Sequence, residues 1–202
     1  MTTDIHVVAI VEGHGEVEAV PKLLNGIWKT ANFSKNLRMD EEPYFVPKGI
    51  CLGNKESANS RWQSALAWAQ SMVREKGSGV LILMDADAKC CKEFLESRQA
   101  KKACSDIKEY LKGIMPGFAV AEQGYEFWLV AGLGGGAYQG NPKDWLTDYV
   151  KKKGIDGKYR KLPHQALLTS EMDIQRAREA NPSFNRFCER FLEWGNKADA
   201  AV

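Results

Sequence analysis

Two stretches of this chain decide its fold: residues 7–16, VVAIVEGHGE, and residues 80–88, VLILMDADA. Each is an apolar run of strand length that ends abruptly in carboxylates. In a parallel α/β sheet such runs are buried strands, and the carboxyl ends of the strands form the crevice where ligands bind. We therefore expect Glu12, Asp85 and Asp87 to converge at one edge of a sheet. Clustered carboxylates repel one another unless a cation lies between them, and oxygen ligands favour Mg²⁺ or Mn²⁺.

The composition is that of an ordinary globular protein. The chain has 202 residues, 44% of them hydrophobic and 27% charged, which suits one domain or a core domain with a modest appendage. The net charge of +2 creates no general basic field, so any nucleic-acid contact must come from a local patch. No apolar run approaches the roughly 20 residues that span a bilayer, and residues 1–4 lack the basic segment of a signal peptide. We expect a cytoplasmic protein with no membrane contact.

The cysteines and histidines argue against a zinc site. There are five cysteines and three histidines, and the sequence contains no C-x-x-C pair. An odd number of cysteines without that spacing is typical of reduced thiols in a cytoplasmic protein.

Strands and helices alternate over residues 1–121. Between the strands, apolar residues recur at helical spacing. This order predicts a mostly parallel four-stranded sheet flanked by helices. The predicted strands are residues 5–11, 43–46, 80–84 and 118–120.

Residues 122–202 are predicted to form a helical C-terminal extension packed on the α/β core. Asn-Pro pairs at 141–142 and 181–182 are typical of a helix cap followed by the first helical position. Gly195 is a predicted stop for the last helix, which would leave residues 196–202 as a frayed tail.

The order of the acidic motifs resembles that of a known domain. Glu-Gly after a first strand, with a later strand ending in Asp-x-Asp, resembles the TOPRIM domain. That domain is the Rossmann-like metal-binding fold of topoisomerases, bacterial primases and nucleases of the overcoming lysogenization defect (OLD) type. The whole chain is similar to a family of small stand-alone TOPRIM-like bacterial proteins. The similarity extends to YEFWL at 125–129, QALL at 165–168 and PSF at 182–184.

The resemblance implies a role for each matched acid. Glu12 corresponds to the TOPRIM glutamate, which acts as a general acid or base or helps to hold metal. Asp85 and Asp87 correspond to two aspartates that coordinate Mg²⁺. Glu16 lies one helical turn beyond Glu12 and could add a ligand, as in OLD-type nucleases. Glu126 is a fifth candidate, because an acid in an aromatic and apolar run is costly unless it is paired or metal-bound.

Each of these residues also has a structural explanation. Glu12 and Glu16 would be favoured at the positive end of a helix, and the two aspartates are compatible with a turn. A salt bridge would account for Glu126. His14 is interpreted as part of a solvated loop. The glycines of the same motif complete neither G-x-G-x-x-G nor a Walker sequence, so they predict no nucleotide site.

A cluster of basic residues surrounds Tyr159. Basic side chains interleaved with an aromatic ring suit a nucleic-acid backbone, although a charge run is also typical of solvated surface. The predicted nucleic-acid contacts are Lys151, Lys152, Lys153, Lys158, Arg160 and Lys161.

We therefore expect a nuclease that hydrolyses phosphodiesters with Mg²⁺ or Mn²⁺. A topoisomerase or a primase would need additional domains that this chain is too short to contain. OLD-type nucleases couple the TOPRIM domain to an ABC-type ATPase, so a separate ATPase chain is a predicted partner by analogy, in the setting of bacterial defence. Three alternatives stay open: a nucleotide-sugar transferase using Asp-x-Asp, a haloacid-dehalogenase-type phosphatase, and a non-catalytic TOPRIM-like binding module.

Overall fold

The protein is represented by a computed structural model. The structure describes residues 4–39, 42–47, 50, 56–73, 79–86, 93, 96–111, 115–121, 124–155 and 157–200.

These residues contain five strands and eight helices. The strands are β1 (Ile5–Val11), β2 (Leu37–Arg38), β3 (Tyr44–Phe45), β4 (Gly79–Asp85) and β5 (Met115–Ala121). The helices are α1 (His14–Trp28), α2 (Glu56–Met72), α3 (Arg98–Tyr110), α4 (Tyr125–Val130), α5 (Pro142–Lys152), α6 (Lys161–Glu171), α7 (Ile174–Ala180) and α8 (Pro182–Ala200). A π-helical turn, Ala131–Gly135, continues α4.

The sheet is parallel at every described pairing, in the order β2-β1-β4-β5. The short strand β3 pairs with the carboxyl end of β1, where Val11 lies opposite Phe45. The predicted mostly parallel α/β sheet is therefore confirmed, with β2 as an additional strand. Two residues carry no periodicity, so β2 could not be recognised in the sequence. Because β1 and β4 run side by side in the same direction, both end at one edge of the sheet.

Helices cover both faces of the sheet. On one face, α2 and α3 pack side chains such as Trp62 and Ile107 against Val8, Ile10 and Ile82. On the other face, α1 shares one hydrophobic core with the C-terminal helices and with alternate residues of β1 and β4. That alternation is the two-residue period of a strand buried on both sides. The C-terminal helices thus complete the layer on the α1 side of the sheet.

The Asn-Pro signals begin helices as predicted. Asn141 accepts a hydrogen bond from the Lys143 amide at 3.1 Å, and Asn181 accepts from the Phe184 amide at 3.0 Å. Pro142 and Pro182 are the first residues of α5 and α8. Each side chain satisfies an amide that would otherwise lack a partner at the start of its helix.

The expected stop at Gly195 is wrong, because α8 continues to Ala200. Gly195 is buried, and a Cβ there would lie 2.8 Å from both Trp28 and Phe33, so this glycine allows α8 to approach α1 closely. Beyond it, Asp199 accepts hydrogen bonds from the Ser34 hydroxyl at 2.9 Å and the Lys35 amide at 3.0 Å. These contacts hold the segment that the sequence predicted to fray. Within the described residues, no helix is long and apolar enough to cross a membrane.

Candidate functional site

The ends of β1 and β4 bring two of the predicted acids together. Glu12 Oε2 accepts a hydrogen bond from the Asp85 amide at 3.0 Å, and Asp85 Oδ1 accepts one from the Tyr125 amide at 3.0 Å. These bonds join the two strand ends to the beginning of α4. The expected convergence of Glu12 and Asp85 is confirmed. Asp87 lies outside the described residues.

Glu16 lies in the first turn of α1 and is buried, with 3% of its surface exposed. Its carboxylate folds back over Gly13, where a Cβ would lie 2.9 Å from Glu16 Oε1 and closer still to Oε2. Gly15 makes room for α6, since a Cβ there would collide with Gln165 Oε1 and lie 3.0 Å from the Lys161 Cβ. The two glycines of E-G-H-G-E therefore make room for the side chains of Glu16, Gln165 and Lys161.

Lys161 is the basic residue at the centre of the acids. Its Nζ lies 3.3 Å from Glu16 Oε1, 3.7 Å from Glu126 Oε1 and 3.8 Å from Asp85 Oδ2. The sequence placed this lysine with the exposed basic residues. The packing of α6 along α1 carries it instead to the carboxyl edge of the sheet.

Gln165 is a site residue whose role the sequence did not reveal. Its side chain is fully buried, and Nε2 donates a hydrogen bond to Glu16 Oε1 at 3.0 Å. One turn along α6, Thr169 donates its hydroxyl proton to the Gln165 carbonyl at 2.7 Å. The Tyr125 hydroxyl lies 3.1 Å from the Thr169 oxygen, and must donate because the proton of Thr169 is already used. Glu16 is therefore positioned by a buried network that connects α6 to α4.

Three buried polar atoms at this site have no hydrogen-bond partner in the part of the chain that the structure describes. They are Glu126 Oε1, Gln165 Oε1 and the Tyr159 hydroxyl, out of five such atoms in that part. Leaving a buried polar atom unsatisfied costs about 1–3 kcal/mol, and each instance calls for a physical explanation. The oxygens of Glu126 and Gln165 can only accept, so a cation or a hydrogen-bond donor would satisfy them.

The charges shift the protonation of this site. Burial raises the pKa of Asp85 to about 7; Lys161 opposes that rise, while Glu16, Glu126 and Glu12 add to it. For Lys161, burial alone would lower the pKa, but Glu16, Glu126 and Asp85 raise it above its ordinary value. Lys161 is therefore charged at neutral pH, and Asp85 keeps its proton to a higher pH than an ordinary carboxyl group does. Three carboxyl groups, those of Glu16, Glu126 and Asp85, thus face one ammonium.

The donor set fits a hard divalent cation. Apart from Lys161, the side chains that converge here offer oxygen, the preferred ligand of Mg²⁺ and Mn²⁺, and the buried unsatisfied oxygens of Glu126 and Gln165 are compatible with a cation. Among the described residues, however, no three acidic, His or Cys side chains are already arranged as metal ligands. Lys161 occupies the space between Glu16, Glu126 and Asp85.

The remaining predicted nucleic-acid contacts lie on the surface. Lys151, Lys152, Lys158 and Arg160 are exposed. Lys153 is exposed too, and pairs with Glu171 at 3.1 Å.

Two aromatic residues differ from what the sequence indicated. Tyr159, the aromatic residue within the basic cluster, is buried, so its ring does not lie on the surface with the lysines. His14 belongs to the first turn of α1 rather than to a loop, and its exposed ring stacks on Phe45 with centroids 3.9 Å apart.

Comparisons of the chain with protein-family models, with curated proteins and with solved structures gave no match.

Proposed function

We propose that this protein is a metal-dependent nuclease of the TOPRIM type, which hydrolyses phosphodiester bonds with Mg²⁺ or Mn²⁺. The observation that supports this most is the meeting of acids from β1, α1, β4 and α4 at one sheet edge, beside buried oxygens that lack a partner. Structural salt bridges alone would not require so many acids around one lysine.

Four acids of the described chain would hold the metal: Glu12, Glu16, Asp85 and Glu126. Asp87 would join them from its place two residues after Asp85. When bound, the metal would supply Lewis-acid stabilisation of a phosphodiester and activation of a water molecule.

The chain's own residues would handle protons and position. Glu12, which the TOPRIM resemblance matches to a general acid or base, would accept a proton from an attacking water, while Asp85 would serve as a metal ligand. Glu12 holds the backbone of Asp85 at the strand end. Gln165 orients Glu16 from the opposite side. The exposed lysines of α5 would bind the phosphate backbone of a nucleic acid.

A partner ATPase is proposed by analogy alone. If this chain acts like an OLD-type nuclease, a separate ABC-type ATPase would control its access to DNA or RNA in bacterial defence. Nothing in the geometry of the described residues argues for that partner.

The second candidate is a non-catalytic module that binds nucleic acid or a partner protein. One observation favours it: Lys161 forms ion pairs with three of the acids without any metal. In that case the charge cluster would serve only to join α6 to the sheet.

A cleavage assay separates the two candidates. Purified protein is incubated with supercoiled plasmid and with single-stranded oligonucleotides, in Mg²⁺ or Mn²⁺, beside Asp85→Asn. Asparagine retains an oxygen that can accept the Tyr125 amide bond, so the variant removes the charge and preserves the fold. Asp106→Asn, on α3 across the sheet, is the matched control. Cleavage by wild type and Asp106→Asn alone supports the nuclease. Binding without cleavage in every sample supports the module.

A further inference from the structure

We propose that Lys161 is an internal counter-ion which a divalent metal displaces, so that metal binding releases this lysine toward the substrate. The inference depends on the metal of the proposed function and adds a means of regulating the same site. In the absence of metal, Lys161 would hold the acids together; in its presence, the lysine would become a phosphate contact.

The geometry makes the two cations mutually exclusive. The ammonium nitrogen lies 3.3–3.8 Å from oxygens of Glu16, Glu126 and Asp85. A Mg²⁺ ion bonds its oxygen ligands at about 2.0–2.1 Å, so an ion shared by these acids would occupy the space next to the ammonium. Like charges repel strongly at such a separation in a partly buried site. The lysine must therefore move if these acids bind a metal.

The ammonium also leaves some of the oxygens at this site without a hydrogen bond. Of its three contacts with acids, only that to Glu16 Oε1 is a hydrogen bond among the described residues. Glu126 Oε1 and Gln165 Oε1 remain buried without a hydrogen-bond partner. A six-coordinate metal, with its bound waters, could satisfy these oxygens at shorter distances than the lysine does. This difference supplies a driving force for the exchange.

Lys161 has a short route to solvent. It is the first residue of α6, about a third of its side chain is already exposed (35%), and its neighbours Arg160 and Leu162 are exposed. Its ammonium can swing outward without disturbing the hydrophobic core. There it would join Lys158 and Arg160 and extend the basic surface toward the acids. Because coupling between ligands is reciprocal, a phosphate that binds the released lysine would in turn favour metal binding.

The first test is calorimetric Mn²⁺ binding to wild type and Lys161→Met, with Lys153→Met as the matched control. Lys153 also pairs with an acid, but at the exposed end of α5. Removing the competing cation should tighten Mn²⁺ binding by about tenfold, within the 5- to 150-fold range of typical coupling. Equal or weaker binding by Lys161→Met would overturn the exchange and leave the nuclease proposal standing. If neither protein binds Mn²⁺, both proposals fail.

The second test uses the wild-type chain and so does not depend on whether a variant folds. Lysine side chains are acetylated with an amine-reactive reagent, with and without Mn²⁺, and the modified peptides are quantified by mass spectrometry. Labelling of Lys161 should rise severalfold when Mn²⁺ is present, whereas that of Lys153 should not change. Continued protection of Lys161 in a Mn²⁺-bound protein would show that the two cations coexist, and would overturn the exchange without affecting the metal site.

Discussion

Two lysines that lie eight residues apart in sequence, Lys153 and Lys161, both pair with acids but differ in how deeply those acids are buried. Lys153, at the end of α5, forms one exposed ion pair with Glu171. Lys161, at the start of α6, lies among Glu16, Asp85 and Glu126, two of which are almost completely buried. Exposed pairs contribute little, because water screens them, whereas breaking a buried cluster leaves a desolvated charge. The environment, and not the residue type, therefore distinguishes Lys161 from Lys153.

The largest effect should come from removing a charge on the buried side of this comparison. Glu126→Gln preserves the shape of the side chain but removes one proposed metal ligand. We expect the cleavage rate at saturating oligonucleotide to fall by about 10²–10³-fold, because losing several kcal/mol of electrostatic stabilisation has that consequence. Single-turnover kinetics measure it. Lys151→Gln, on the exposed side, should retain the wild-type rate at saturation. A fully active Glu126→Gln enzyme would remove Glu126 from the site.

The next effect is on metal-free stability. Lys161→Met should lower the free energy of unfolding by about 2–3 kcal/mol, less than the 3–5 kcal/mol of a fully buried pair, because a third of the side chain reaches solvent. Lys153→Met should leave the urea midpoint almost unchanged. Urea denaturation in EDTA compares the two. Equal midpoints for both variants would show that the distinction between the two lysines is wrong.

The next prediction concerns how metal binding at the Lys161 cluster depends on pH. Because burial raises the pKa of Asp85 to about 7, the metal-free fold binds this proton more tightly than the unfolded chain does. Its contribution to stability is therefore lost as pH rises from about 4 to about 7. Metal must displace the proton, in a site where Glu12, Glu16, Glu126 and Lys161 also face Asp85.

Below pH 7, the Mn²⁺ affinity should therefore rise by about tenfold per pH unit, and it should level off above pH 7. Calorimetry between pH 5.5 and about 8 tests this expectation. In Asp85→Asn, the residual affinity should depend less steeply on pH. A wild-type affinity that is constant over this range would mean that Asp85 does not release a proton on binding.

The smallest effect belongs to the exposed basic surface. If Lys151 and Lys152 each contact one phosphate, replacing both with glutamine should make the slope of log affinity against log salt shallower by about 1.8 on duplex DNA. Fluorescence anisotropy at several salt concentrations measures the slope. Replacement of Lys101 and Lys108, which are exposed on α3, is the control. An unchanged slope for the α5 variant would exclude this surface as the nucleic-acid contact.

The parts of the fold that sequence could predict are those with local causes. The apolar runs that became β1 and β4 end in acids, and parallel strands place those ends together, so Glu12 and Asp85 could be paired from sequence. The Asn-Pro caps could also be predicted, because each asparagine bonds an amide no more than three residues away. The fraying predicted beyond Gly195 failed because Asp199 is held by Ser34 and Lys35, far away in sequence.

The site residues on α6, Lys161 and Gln165, could not be predicted from the sequence around them. Lys161 and Gln165 contact Glu16 from 145 and 149 residues away, through the packing of α6 on α1. In the sequence, Lys161 is one basic residue in a basic loop, and nothing nearby distinguishes it from Lys158. Gly13 and Gly15 were the available clue, since both make room for these side chains. Their meaning depends on tertiary contacts that a single sequence does not contain.

The most direct test of the proposed metal site is calorimetric titration of Mn²⁺ into wild type, Asp85→Asn and Asp106→Asn. We propose that the acids at the carboxyl edge of β1 and β4 form a divalent-metal site. Wild type and Asp106→Asn should bind Mn²⁺ with the same affinity, and Asp85→Asn should bind at least about tenfold more weakly while remaining folded. If wild type does not bind Mn²⁺, or if all three proteins bind it equally, these acids do not form a divalent-metal site.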